Sequence, residues 1–163
     1  MTKRIFTQTF GVAGAIIEKD GKILLVKESQ RKGIDAGKWN HPAGWIEVGE
    51  SPIDAAKKEV EEESGFKFTP TYLIGIYSLN REDFLKHGEE VHHPIKLIFT
   101  GTISEERNKN LADDISEARW FAPEEIYKMN SDILRDSDIK QIVKDYFSGK
   151  KYPLDIITHT TQK

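Results

Sequence analysis

A mixed β-sheet with helices packed on it, an α/β architecture, is what this 163-residue chain predicts. Three observations carry that expectation. Strand-like apolar runs at 10–17, 23–26, 72–79 and 95–103 are separated by polar loops, a capped helical segment occupies 51–65, and helical spacing recurs near the C-terminus. The length suits one domain with a single core, expected over 1–150 and followed by a polar, loosely ordered tail at 151–163.

The first strand is expected through the apolar and β-branched residues from Phe10 to Ile17. Asp20-Gly21 is a hairpin turn signal, which makes Ile23 to Val26 the partner strand. Residues 27–40 are polar, contain two glycines and read as a surface loop. Ser51 is a good N-cap, Pro52 fits the first helical position, Asp54 stands where a capping-box acid would, and Gly65 is the stop. Strands follow at Tyr72 to Leu79 and Ile95 to Ile103, with a short one at Ala118 to Phe121. Pro123 opens a helix running to about Met129, and Ser137 caps a last helix on which Ile139, Ile142, Val143 and Phe147 recur at helical spacing. There is no internal repeat, low-complexity segment or interdomain linker.

With 24 basic and 27 acidic residues the formal charge is only -3, so neither polymeric nucleic acid nor an anionic membrane is an expected partner. Any polyanionic substrate must be held locally. The absence of cysteine excludes disulfides, thiolate metal sites and thiol nucleophiles, and fits a reducing compartment. No apolar run reaches the core of a signal peptide or the roughly 18 residues of a membrane span. A cytoplasmic protein, monomeric or homodimeric, is expected.

The helix at 51–65 loads its acids on the wrong end. A helix C-terminus carries partial negative charge, yet glutamates occupy 59 and 61–63, just before the glycine stop. Successive residues turn by about 100°, which brings Glu59, Glu62 and Glu63 onto one face beside the apolar stripe of Ile53, Ala56 and Val60. Like charges at these spacings destabilise a helix by roughly 0.2–0.5 kcal/mol per pair. A divalent cation reverses the sign, because hard ions such as Mg²⁺ and Mn²⁺ seek carboxylate oxygens. The bland alternative is a solvated helix face, which Glu61, pointing away with Lys57 and Asp54, fits well.

The spacing of the whole segment tips the balance. Gly44, Glu50 and the run Lys58-Glu59-Val60-Glu61-Glu62-Glu63-Ser64-Gly65-Phe66 resemble the Nudix box, and only Lys58, where that pattern has arginine, departs from it. The preceding hairpin, the Trp-x-x-Pro-x-Gly lead-in and Glu117-x-Arg119-Trp120-Phe121 are similar to the same family, extending the likeness over about residues 8–148. The resemblance implies an α/β/α sandwich around a mixed sheet and a MutT-like, metal-dependent pyrophosphohydrolase. It further implies Glu59, Glu62 and Glu63 as ligands of Mg²⁺ (or Mn²⁺), the carbonyl of Ala43 as an additional ligand, and Glu50 close to the metal. Gly44 would allow close approach of the loop. Lys58 keeps the charge of the usual arginine but loses its planar fork, which affects rate more than reaction class.

The general base is expected from a loop outside the box, with Glu90 foremost and Glu89, Glu117 and Asp114 as competitors. His92 and His93 are read as a polar loop entering a strand. Trp39 and Trp45 flank the box and are candidates for stacking on a base or sugar, with packing as the alternative. Arg31, with Lys32 and Lys38, is a candidate phosphate contact. The stretch Trp39-Asn40-x-Pro42-Ala43-Gly44-x-x-Glu47 resembles the lead-in of bacterial phosphohydrolases acting on nucleoside di- and triphosphates and on a thiamine pyrimidine precursor. The expected substrate is therefore a small phosphorylated molecule, a nucleotide or such a precursor. The rival reading, a non-catalytic binding module of the same fold, predicts loss of the helix carboxylates, which are all present. The fold-sharing isopentenyl diphosphate isomerases need a cysteine that this chain lacks.

Overall fold

The computed structural model describes residues 10–30, 33–88 and 92–162. The strands are β1 (Gly11–Ala15), β2 (Glu18–Lys19), β3 (Lys22–Glu28), β4 (Trp39–Asn40), β5 (Ala43–Trp45), β6 (Phe66–Ser78), β7 (Ile95–Arg107), β8 (Ile115–Phe121) and β9 (Tyr152–Pro153). The helices are α1 (Pro52–Ser64), α2 (Pro123–Lys128) and α3 (Ile139–Phe147).

The strands form two sheets. One has the order β5-β1-β7-β6-β9, mixed because β1 and β7 run parallel while the other pairs are antiparallel. In the other, β3 pairs antiparallel with β2 and β4 along one side and with β8 along the other. Alternation along the strands divides the core into two layers. Leu24, Leu73 and Phe99 pack with Ala55, Ala56 and Val60 of α1. Their neighbours Ile23, Ile74 and Ile98 pack with Ile126 of α2 and Ile139, Ile142 and Val143 of α3. The result is helix, sheet, helix, as the sequence predicts.

α1 begins and ends where expected. Ser51 accepts a hydrogen bond from the Asp54 N–H at 3.2 Å, and Gly65 closes the helix in the left-handed conformation at φ 80°. The hairpin is smaller than expected. Asp20 and Gly21 do turn the chain with positive φ, but the arm that returns to β3 is the two-residue β2. β1 instead lies between β5 and β7. Ala13, Ala15 and Ile16 are wholly buried, and a strand closed off on both faces takes a neighbour on each side rather than an edge position. The residues read as one loop at 27–40 end β3 and supply β4. Asp138 rather than Ser137 stands at the start of α3.

The tail also departs from the expectation of a loose segment. Tyr152 and Pro153 pair with Leu73 and Tyr72 of β6, and Leu154 and Ile157 pack beside the α1 layer. These apolar residues cover part of an edge strand that would otherwise present unpaired backbone groups. No helix among the described residues is long and apolar enough to cross a membrane.

Candidate functional site

β5 delivers the backbone of Ala43 and Gly44 to the C-terminal half of α1. The Ala43 N–H donates to Glu63 Oε2 at 2.9 Å, tying the last acid of the helix to the strand. A side chain at Gly44 would fall on the Glu59 carboxylate. Glycine therefore gives Glu59 its place. Both acids line a cleft of about 590 Å³, with Ala43, Gly44, Trp45, Glu28 and Asp114 also on its walls.

Burial makes both carboxylates reluctant anions. Desolvation raises Glu59 to about 7, with Glu62, Glu50 and Asp114 adding repulsion and Lys58 opposing it. Glu63 is pushed well above the usual carboxylate range, again by burial, against the Ala43 N–H bond that favours its charged form. Glu28 is also raised by burial, with the nearby acids Asp114 and Asp35 contributing. Oxygen donors made unstable as bare anions have the chemistry a hard divalent ion requires. Among the described residues no three acidic or histidine side chains stand close enough to enclose an ion as they are. Like charges instead settle on separate donors, Glu63 on the Ala43 N–H and Glu59 beside Lys58. Glu62 is exposed and its carbonyl accepts from Ala112 N–H at 2.7 Å.

Lys58 reaches three carboxylates: Glu50 at 3.0 Å, Glu47 at 3.3 Å and Glu59 at 3.7 Å. Asp54 and Glu62, each four residues from it along the helix, are not among them, and Asp54 pairs with Lys57 at 3.7 Å. Glu50 also accepts from the Glu47 N–H at 3.0 Å. Burial pushes Glu50 up, but that bond and Lys58 outweigh it and leave it below its ordinary value. The ammonium thus braces the loop at 47–50 against α1 without a guanidinium fork.

The two tryptophans part company. Trp45 is 44% exposed on the cleft wall, its ring 6.1 Å from that of His92, which in turn meets Phe84 edge-on at 5.2 Å. Trp39 is buried, packed edge-on against Phe121 at 4.8 Å, and does not line the cleft. Packing is its role. Glu117 is paired with Arg119 at 2.8 Å outside the cleft, whereas Asp114 lines it. Glu89, Glu90, Arg31 and Lys32 lie outside the described residues.

The floor of the cleft holds charged groups that sequence reasoning missed. Lys96, 1% exposed, donates to Asp136 at 2.9 Å and Asp138 at 2.8 Å. Arg81 bonds Asp35 and Asp83, each at 2.8 Å, and Asp136 at 3.1 Å. Arg135 bonds Glu28 at 2.8 Å and Asp35 at 3.0 Å. Behind them His41 is wholly buried, and desolvation, with Lys96 nearby, lowers it to about 3. A lysine at an inward position of the apolar run 95–99 was the one available signal. The aspartates and arginines come from separate loops and carried none.

Known proteins resemble this chain in both sequence and fold. The NUDIX domain family matches the chain over residues 7–144. The phosphatase NudJ of Shigella boydii is 29% identical over 144 residues, covering 87% of this chain and 86% of NudJ. A NUDIX hydrolase from Nitrosomonas europaea superposes with a TM-score of 0.79 at 36% identity, covering 91% of this chain and 95% of that one. The NUDIX domain of Shewanella oneidensis NrtR, solved with ADP ribose, shares the fold at a TM-score of 0.66 and 16% identity, covering 88% and 89% of the two chains.

Proposed function

This chain belongs to the NUDIX family of hydrolases, and on that premise we propose that it cleaves the diphosphate linkage of a nucleoside di- or triphosphate, or of a nucleoside diphosphate derivative, with Mg²⁺ or Mn²⁺. The observation that carries the reading is the pair of desolvated carboxylates, half-buried Glu59 against Gly44 and buried Glu63 on the Ala43 N–H, both lining an open cleft. Glu59, Glu62, Glu63 and the Ala43 carbonyl would hold the metal. When bound, the ion neutralises phosphate oxygens and lowers the pKa of an attacking water.

The remaining work falls to the chain. The Ala43 N–H fixes the direction of Glu63, and Lys58 fixes Glu50 and restrains Glu59. Asp114, which lines the same cleft as the acids, takes the proton from the attacking water, with Glu90 the alternative base. Trp45, exposed on the cleft wall, offers a face for the nucleoside ring. A compact non-nucleotide pyrophosphate, such as a thiamine precursor, is the second reading. It is favoured by the cleft's described cations, which all engage carboxylates already and leave little to hold a long polyphosphate.

The test is phosphate or pyrophosphate release from nucleotides, sugar nucleotides, coenzymes and thiamine precursors with millimolar Mg²⁺. Glu59→Gln and Glu63→Gln are expected to lower kcat by at least about 100-fold, in the range lost when transition-state charge stabilisation is removed. Asp114→Asn and Glu90→Gln then separate the two candidate bases. No turnover of any compound, or turnover unchanged in both glutamine variants, overturns the reading.

A further inference from the structure

An ammonium taken partly out of water needs a partner, because burying an uncompensated charge costs free energy. Among the described residues Lys58 and Lys96 meet that need with carboxylates, and Lys27 lies over the Trp39 ring. Lys38 and Lys140 are half-buried as well, yet neither ammonium has an ion pair, hydrogen bond or ring contact among the described residues. Both line the same cavity.

That cavity, of about 330 Å³, adjoins the cleft and shares Arg81 and Arg135 with it. Lys38 enters from the chain just before β4 and Lys140 from the first turn of α3. The α2–α3 connection supplies buried Met129 and Leu134 and exposed Ser131 and Ser137. Carboxylates outnumber cations in the cleft, but here the described residues set four cations against one acid, Asp83. Asp83 is already engaged: it accepts from Arg81 at 2.8 and 2.9 Å, and those bonds, with Lys38 contributing, hold its carboxyl below the usual range. Arg135 donates from Nε to Asp35 and from Nη1 to Glu28, which leaves its Nη2 without a carboxylate.

We propose that this cavity is a second binding site, distinct from the acid-lined cleft, for a small phosphate-bearing anion held by Lys38, Lys140 and Arg135. Several cations around one cavity suit a dianionic oxyanion better than a single carboxylate, with the serine hydroxyls as neutral donors. Free phosphate and a phosphate monoester share this chemistry, and both are products of cleaving diphosphate linkages. Binding here does not depend on catalysis in the cleft.

Calorimetric titration of the full chain with inorganic phosphate and, in a parallel arm, with AMP tests this in EDTA at fixed ionic strength. Without a metal, the carboxylates of the cleft repel either anion. The expected result is saturable one-to-one binding, weakened by about tenfold or more in Lys38→Gln and in Lys140→Gln, as befits loss of a charge-assisted hydrogen bond, and retained in Lys140→Arg. Thermal melts confirm that each variant is folded. Binding in both arms shows that free phosphate suffices, and binding of AMP alone identifies the ester as the ligand. Absence of saturable binding in both arms, or affinity unchanged in both glutamine variants, overturns the proposal and leaves the two lysines as stems that cover Met129 and Leu134.

Discussion

Gly44 shows how one missing side chain organises the acids. Its Cα leaves room that the Glu59 carboxylate fills, so Gly44→Ala must displace either the strand or the acid. The acid is the part that moves, since a carboxylate at the end of a flexible side chain shifts at little cost in stability. Activity measured at saturating Mg²⁺ is expected to fall by at least about tenfold, since misplacement of a reacting group by as little as about 1 Å is that damaging. His41 offers a second residue-scale test. The imidazole titrates near its ordinary 6.5 in the unfolded chain but only at about 3 in the folded one. Its stabilising contribution is complete above pH 6.5, where both states are neutral, and is lost progressively as pH falls from 6.5 towards 3. The slope approaches about 1.4 kcal/mol per pH unit for one proton. The raised carboxyls Glu59, Glu63 and Glu28 slope the other way, so the His41 contribution is read as the difference between the native chain and His41→Leu in urea unfolding between pH 4 and 7: the native chain should lose stability relative to the variant as pH falls.

α1 carries its acids at a terminus where the macrodipole opposes them, and what holds the end together is its cap. Gly65 adopts φ 80°, donates to the Glu61 carbonyl at 2.9 Å, and accepts from Asn108 N–H at 2.8 Å. A Cβ there would be both strained and driven into the Asn108 carbonyl. Gly65→Ala is expected to destabilise by more than the roughly 1 kcal/mol of the left-handed penalty alone, measured by the denaturant midpoint. Lys58 performs the complementary task along the helix. By spanning Glu47, Glu50 and Glu59 it ties the loop before the N-cap to the acidic face, so one element carries both the cleft-lining carboxylates and the brace beside them.

The two sheets meet the α3 side through a buried ionic network rather than through apolar contact alone. Lys96 of β7 joins Asp136 and Asp138, and Arg81 and Arg135 extend the chain of pairs to Asp35 and Glu28. Removing one partner of such a network strands the others in a poorly solvated place. Lys96→Met is therefore expected to cost about 3–5 kcal/mol, far more than its added apolar contact returns. Equilibrium unfolding checks this directly. A loss below about 1 kcal/mol would mean that the network is solvated in practice and contributes little.

Local spacing was enough to determine the helix, its two caps and the set of carboxylates that it presents, because a helix face is decided by residues three and four apart. The box from Gly44 to Phe66 was legible for that reason, and with it the family. Pairing and burial were settled only by contacts distant in sequence. β1 left its expected hairpin because β7, 84 residues on at the Gly11–Ile95 pair, and β5, 33 residues on at Val12–Trp45, closed around it. Trp39 and Trp45 have similar sequence surroundings, yet Phe121 buries one while His92 borders the other on the open cleft wall. Lys96, Arg81, Asp136 and Asn40 come to line the same cleft as the acids only through the tertiary fold. Hydrogen bonds and ion pairs between loops leave no periodic trace in a sequence, so the chemistry of the acidic end could be read from one segment and the chemistry of the floor could not.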